Sequence, residues 1–155
     1  MELVLKPIGI IHSPYENKDE TPIQGAFQPD GPGRVEVFDA YIEGLKDIES
    51  FSHIILIYWF HKAGSVKLVR PTFLDDEPHG IFSSRHPCRP NGIGMSVVKL
   101  IRREGNILII EGPVMLVKTP LLDIKPYIPK FDTIVSASEG WTKDKAWRKK
   151  PEGRE

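Results

Sequence analysis

The run "IILIYWF", Ile54 to Phe60, is the longest uninterrupted apolar stretch in the chain, and it limits the fold more than any other feature. It falls far short of the roughly 20 residues that a membrane-spanning helix needs. Its isoleucines and aromatics favour a strand. Successive strand residues face opposite sides, so an unbroken apolar strand needs cover on both faces. The segments "LVLKPIGII", "RVEVF", "SVKLV", "GIFSS", "MSVVKLI", "ILIIEG" and "LLDIKPY" are similar: short, rich in Val, Ile and aromatics, and broken by Gly, Pro, Asn or Asp. Together they predict seven or eight strands. "LIRREGNILII" reads as a hairpin, with Glu104, Gly105 and Asn106 at its turn. Only "EGLKDIESF", residues 43–51, carries helical spacing, which turns Leu45, Ile48 and Phe51 toward a core. The expected fold class is all-β: a closed antiparallel β-barrel with few short helical turns, its outer wall partly covered by a second subunit.

Length and charge narrow the function. A chain of 155 residues is one domain of ordinary size, able to bury a core without disulfide or metal staples. Cys88 is the only cysteine, so no disulfide framework or Cys-rich zinc site forms within one chain. The start, "MELVLKPIGIIHSP", has an acid at position 2 and an early proline, which does not fit a signal peptide. A soluble cytoplasmic protein with no membrane contact is expected. Lysines plus arginines number 21 and so do aspartates plus glutamates, so no global basic field advertises nucleic acid. Local charge is uneven: no acid occurs from His79 to Arg103, whereas acids cluster in "ENKDE" and "DDE" and bases in "KDKAWRKK". Residues 1–137 are read as the barrel domain and 138–155 as a basic, polar tail.

Several chemistries are excluded by their missing signatures. There is no Walker-type phosphate loop, and "GIG" at 92–94 is too short for a dinucleotide fingerprint. "HPC" at 86–88 lacks the second cysteine pair and the His-x-Glu of a zinc deaminase. His12, His53, His61, His79 and His86 are scattered without metal-ligand spacing, and no metal is expected. No nucleophile elbow is present.

Two segments remain. In "SSRHPCRPNGIGMSVVKL", residues 83–100, Pro87 and Pro90 fix backbone angles, Gly92 and Gly94 allow angles or close approaches that a side chain forbids, and "PNG" is a natural tight turn. A loop so stiffened holds Arg85 and Arg89 in a set geometry that suits a carboxylate, a phosphate or a sugar edge. The alternative is a stiff bend whose arginines pair with the acidic clusters. The second segment is "TPLLDIKPYIPKFD", residues 119–132.

"GIFSSRHPCRPNGIGMSVVKL" followed by "TPLLDIKPYIPKFD" closely resembles the TsaA-like family, the tRNA N6-threonylcarbamoyladenosine methyltransferases also called TrmO. The resemblance extends to "PIGIIHSPY", "TPIQG" and "LKDIESFSHIILIYWFHKA", and covers nearly all of residues 5–132. It implies an S-adenosyl-L-methionine enzyme on a single-sheet β-barrel, homodimeric, that methylates N6 of threonylcarbamoyladenosine beside the tRNA anticodon. By the same resemblance the cofactor contacts fall on Pro22, Ile23, Gln24, His61, Lys62, Arg85, Met95 and the loop Met115, Leu116, Val117, Lys118 and Thr119, with Arg89 as a further candidate. The acceptor nitrogen of a ureido group has a delocalised lone pair, so transfer needs positioning and gains from a base. Asp123, Lys125 and Tyr127 are the candidates for that chemistry, with Asn91 as an orienting amide.

The chain departs from the family pattern at four places: Ile23 stands for an arginine, His86 for a serine, Gly92 for a proline, and Val117-Lys118 for Asp-Gly. The last change removes an acceptor and a flexible residue beside the expected cofactor. Two function classes follow. One is the tRNA methyltransferase; the other is a non-catalytic barrel that binds S-adenosylmethionine or RNA as a sensor or partner module. For tRNA, "KDKAWRKK" with Trp141 and Trp147 offers charge and stacking surfaces.

Overall fold

The protein, described from a computed structural model, is placed over residues 1–13, 32–112, 118–146 and 148. Its strands are β1 (Gly9–His12), β2 (Pro32–Val37), β3 (His53–Trp59), β4 (Val69–Pro71), β5 (Pro78–Gly80), β6 (Ile93–Glu104), β7 (Ile107–Glu111) and β8 (Thr119–Pro126). Six of them close a barrel in the order β1-β2-β7-β6-β3-β8, every pair antiparallel; β4 and β5 form a separate two-stranded ribbon.

Alternation along each strand fills the barrel. On β6, Gly94, Ser96, Val98 and Leu100 turn inward while Ile93, Met95, Val97, Lys99 and Ile101 turn outward. Ile11, Val35, Ile54, Leu56, Leu108, Ile110 and Leu121 are completely buried, and each such side chain contributes about 1.5–3 kcal/mol. The 3-10 segments Asp39–Leu45 and Ile48–Ser50 close one end of the barrel with buried Leu45 and Ile48, as the helical spacing predicts. Phe51 is only half-buried. The β6–β7 hairpin turns through Gly105, at φ +64°, and Asn106, whose side-chain amide donates to the Val37 carbonyl at 3.0 Å.

Three expected strands come out differently. "GIFSS" is a 3-10 turn over Ile81–Ser83, because the Ser84 amide and hydroxyl both return to the Ile81 carbonyl, a local bond that competes with a ladder. Of "SVKLV" only Val69 enters a strand, and of "LVLKPIGII" only the part from Gly9 does. Apart from His53 and Lys99, which pair with each other across the two strands, the outward rows of β3 and β6 form an apolar strip. Ile55 and Ile57 are half-buried there, and Ile93, Met95, Val97 and Ile101 are 41–45% exposed. The cover that the sequence demands on the inner face is therefore supplied by the barrel itself. On the outer face this strip stays open in the single chain. Among the described residues no helix is long and apolar enough to cross a membrane.

Candidate functional site

The barrel end opposite Leu45 and Ile48 is a mouth, where the carboxyl ends of β1, β3 and β7 meet the amino ends of β2, β6 and β8. The arginine loop returns to this mouth. Its "RPNG" segment is a tight turn: the Gly92 amide donates to the Arg89 carbonyl at 3.1 Å, Pro90 holds the first central position, and Gly92 has φ +41°. The Phe60 amide donates to the Gly92 carbonyl at 2.7 Å, which ties the turn to the end of β3.

The two arginines have different tasks. Arg89 is spent on its own loop, since its Nη1 donates to the carbonyls of Ser84 at 2.9 Å and His86 at 3.2 Å. His86 is buried and accepts the Cys88 amide at Nδ1, 3.1 Å away. Arg85 is exposed, and among the described residues it has no hydrogen bond or ion pair. Its charge does reach one inward group, Tyr58. Burial holds the Tyr58 phenol above its ordinary value, opposed by the Ser96 hydroxyl 2.9 Å away and by the Arg85 charge. Neither Tyr58 nor Ser96 stood out in the sequence; the only signal was two hydroxyls at inward positions of facing apolar strands.

Other candidates gather around the same mouth. His61 and Lys62 follow β3 directly; the His61 ring lies 5.9 Å from that of Trp59, and Lys62 is exposed. Trp59, itself 48% exposed, packs its indole against Gly92. Asn91 is exposed in the turn, and Thr119 is buried at the start of β8. Pro22, Ile23, Gln24, Met115, Leu116 and Val117 lie outside the described residues.

Lys118 is exposed and has φ +60°, the left-handed conformation that a glycine takes freely and a lysine does not. Lys118→Gly is expected to raise stability by about 1 kcal/mol, read as a higher denaturation midpoint with an unchanged m-value. A midpoint at or below the parent's would show that the lysine side chain makes up for the strain.

Just below the mouth, Ile57 pairs with Met95 on one side and Asp123 on the other, so these three form one outward cross-strand row. Met95 is therefore wall surface and not barrel core. Asp123 Oδ2 lies 3.0 Å from Lys125 Nζ, and its Oδ1 accepts the Ile124 amide at 2.9 Å. Lys125 pairs with Ile55 in the next outward row. Tyr127 lies at the opposite end: its amide donates to the His53 carbonyl and its hydroxyl sits 3.1 Å from that of Thr133. At about 3.3 Å per residue it is roughly 26 Å along β8 from Thr119.

The tail is not a free stacking surface over its described part. The Trp141 ring lies flat on His79, with centroids 3.6 Å apart, while Lys145 and Arg148 pair with Asp75 and Asp76 of the "DDE" cluster.

Comparison with known proteins points one way. A probable S-adenosyl-L-methionine-binding protein of Pyrococcus abyssi is 53% identical over 136 residues, 88% of this chain and 74% of that protein. The human tRNA (adenine(37)-N6)-methyltransferase is 35% identical over 138 residues, 84% of this chain but only 31% of that protein. A crystal structure of TrmO superposes with a TM-score of 0.79 at 37% identity, covering 90% of this chain and 64% of that one. The chain thus spans less than two thirds of the methyltransferase chains it matches. Residues 10–133 match the tRNA-methyltransferase O N-terminal domain, and the chain belongs to that family.

Proposed function

We propose that this barrel binds S-adenosyl-L-methionine at the arginine-loop mouth and, as a homodimer, methylates N6 of threonylcarbamoyladenosine beside the anticodon of a tRNA. The observation that carries this reading is the division of labour in the loop: Arg89 is bonded to the loop's own carbonyls while Arg85 is exposed beside them. The names of the family relatives support it.

The residues present fit such a ligand. Arg85 offers a charged, forked donor to a carboxylate or a ribose, and the exposed faces of Trp59, Ile93 and Met95 offer apolar cover for an adenine. S-adenosylmethionine would supply an electrophilic methyl group on a sulfonium, whose methyl–sulfur bond breaks with its electron pair going to sulfur to leave a neutral thioether. Asn91 orients the acceptor amide, and Asp123, in the row of Met95, takes the proton that leaves N6 as the nitrogen–carbon bond forms. Lys125 holds the Asp123 carboxylate in place at 3.0 Å. Tyr127 lies away from the mouth, and its part in this reading is to brace the end of β8. The rest of the apolar strip of β3 and β6, Ile55, Val97 and Ile101, is the face for a second copy.

Calorimetric titration with S-adenosylmethionine, followed by a methyl-transfer assay on threonylcarbamoylated tRNA, tests the reading, and sedimentation of the apoprotein tests the dimer. Binding without transfer would favour the second reading, a non-catalytic S-adenosylmethionine sensor, which the Val117-Lys118 replacement and the names of the archaeal relatives favour. An Asp123→Asn variant that binds cofactor and transfers at the normal rate would remove that carboxylate from the mechanism.

A further inference from the structure

Five contacts from one short segment converge on the approach to the arginine loop. The Trp141 indole stacks on His79 at an interplanar angle of 11°, and its Nε1–H donates to the Ser83 carbonyl at 2.7 Å. Lys145 Nζ lies 3.3 Å from Asp75 Oδ2, and the Asp75 carboxylate is also held by His79 Nε2 at 3.0 Å. Arg148 donates through Nε to the Phe73 carbonyl at 2.7 Å and through Nη2 to Asp76 at 2.9 Å.

The anchors sit on both flanks of Arg85. Ser83 precedes it by two residues, and the next carbonyl, that of Ser84, accepts Arg89. Phe73 packs edge-on against His86, the residue that follows Arg85, with ring centroids 6.3 Å apart. Arg85 has no bond of its own among the described residues, so its backbone is placed by these neighbours. A stacked indole with a 2.7 Å bond is a stiff spacer; a lysine-rich solvated tail is not.

We propose that Trp141, Lys145 and Arg148 act as a positioning strap, with Trp141 and Arg148 fixing Ser83 and Phe73 so that Arg85 meets its anionic ligand without first ordering the loop. This rests on the reading of Arg85 as the ligand arginine. The strap is charge-dependent. Partial burial opposes ionisation of Asp75, but the bonds from His79 and Lys145 outweigh it and hold the carboxyl below the usual carboxylate range. Asp76 with Arg148, and Glu77, whose amide donates to Asp75, are the other charged groups at this face. A depressed carboxylate stabilises the strap above its unfolded value of about 3.9 and ceases to do so as pH falls through the lower folded value.

The test uses Trp141→Ala and Trp141→Phe, the latter keeping an aromatic ring over His79 without the donor. Hydrogen exchange without ligand is read first: the Arg89 and Gly92 amides should exchange about five- to tenfold faster in Trp141→Ala, the equivalent of one lost hydrogen bond, while Ile54 to Tyr58 stay protected. Unchanged exchange of the loop would overturn the strap whether or not S-adenosylmethionine binds. Loss of protection in β3 as well would mean a general structural role and would also overturn it; Trp141→Phe, with the smaller perturbation, decides if Trp141→Ala does not fold.

Titration with S-adenosylmethionine is read second, with each variant also placed in an Arg85→Ala background. A strap that acts through Arg85 weakens binding about three- to tenfold in the parent and adds little once Arg85 is gone. Full effect in both backgrounds would overturn the positioning role. No binding by the parent would overturn the proposed function, with the exchange result still deciding the strap.

Discussion

Arg85→Ala is expected to weaken S-adenosylmethionine binding by on the order of ten- to a hundredfold, the equivalent of losing hydrogen bonds to a charged group worth about 1.5–3 kcal/mol. The barrel should keep its stability, because Arg85 is exposed and bonded to nothing described in the apoprotein. Arg89→Ala should behave differently. It removes two bonds from the loop's interior, to Ser84 and His86, so it should loosen the loop before any ligand arrives. Calorimetry and thermal melting on the two variants separate these effects: Arg85→Ala moves the affinity alone, Arg89→Ala moves both. Equal affinity in Arg85→Ala and the parent would place the ligand elsewhere, and the division of labour between the two arginines would lose its meaning.

That division could not be read from the sequence. Arg85 and Arg89 sit four residues apart on a loop stiffened by prolines, and nothing in the spacing says which guanidinium turns back onto the loop carbonyls. What was legible were features decided by local rules. The "PNG" turn follows from Pro90 and from the positive φ of Gly92, and the hairpin at Gly105 from turn chemistry alone. The unbroken apolar run of β3 correctly marked a strand, whose inward residues are buried and whose outward isoleucines are half-buried in the single chain. "GIFSS" misled because serine hydroxyls and isoleucine are compatible with a strand until a carbonyl three residues back is closer than any partner strand. The contact of Trp141 with His79 was illegible for another reason. It joins segments far apart in the chain, and a tryptophan among lysines and arginines reads as a solvated face whether or not a surface lies under it.

Gly94→Ala is expected to be the most damaging small substitution at the mouth, lowering stability by about 3 kcal/mol, the upper part of the range for overpacking. In a domain of this size that is a drop of roughly 6–12 °C in Tm. The cause is space and not backbone angle, since Gly94 is not among the positive-φ residues. A Cβ there would overlap the edge of the Tyr58 ring at Cε2, and would lie 2.8 Å from Tyr58 Cζ and 2.7 Å from Phe60 Cζ. Those two rings meet edge to face at 5.3 Å and leave no gap to absorb a methyl group. Tyr58 has little freedom to move aside, because its hydroxyl is bonded to Ser96 within the barrel and its backbone pairs with both β6 and β8 at the register shift between Ile57 and Tyr58. The damage should extend to the loop: Phe60, pushed outward, carries the amide that holds the Gly92 carbonyl. A double-mutant cycle identifies the cause. In a Tyr58→Leu background the methyl group gains room, so the cost of Gly94→Ala should fall by at least about 1 kcal/mol, a coupling typical of residues in contact. If Gly94→Ala costs as much in the Tyr58→Leu background as in the parent, the close approach to the ring is not what requires glycine there.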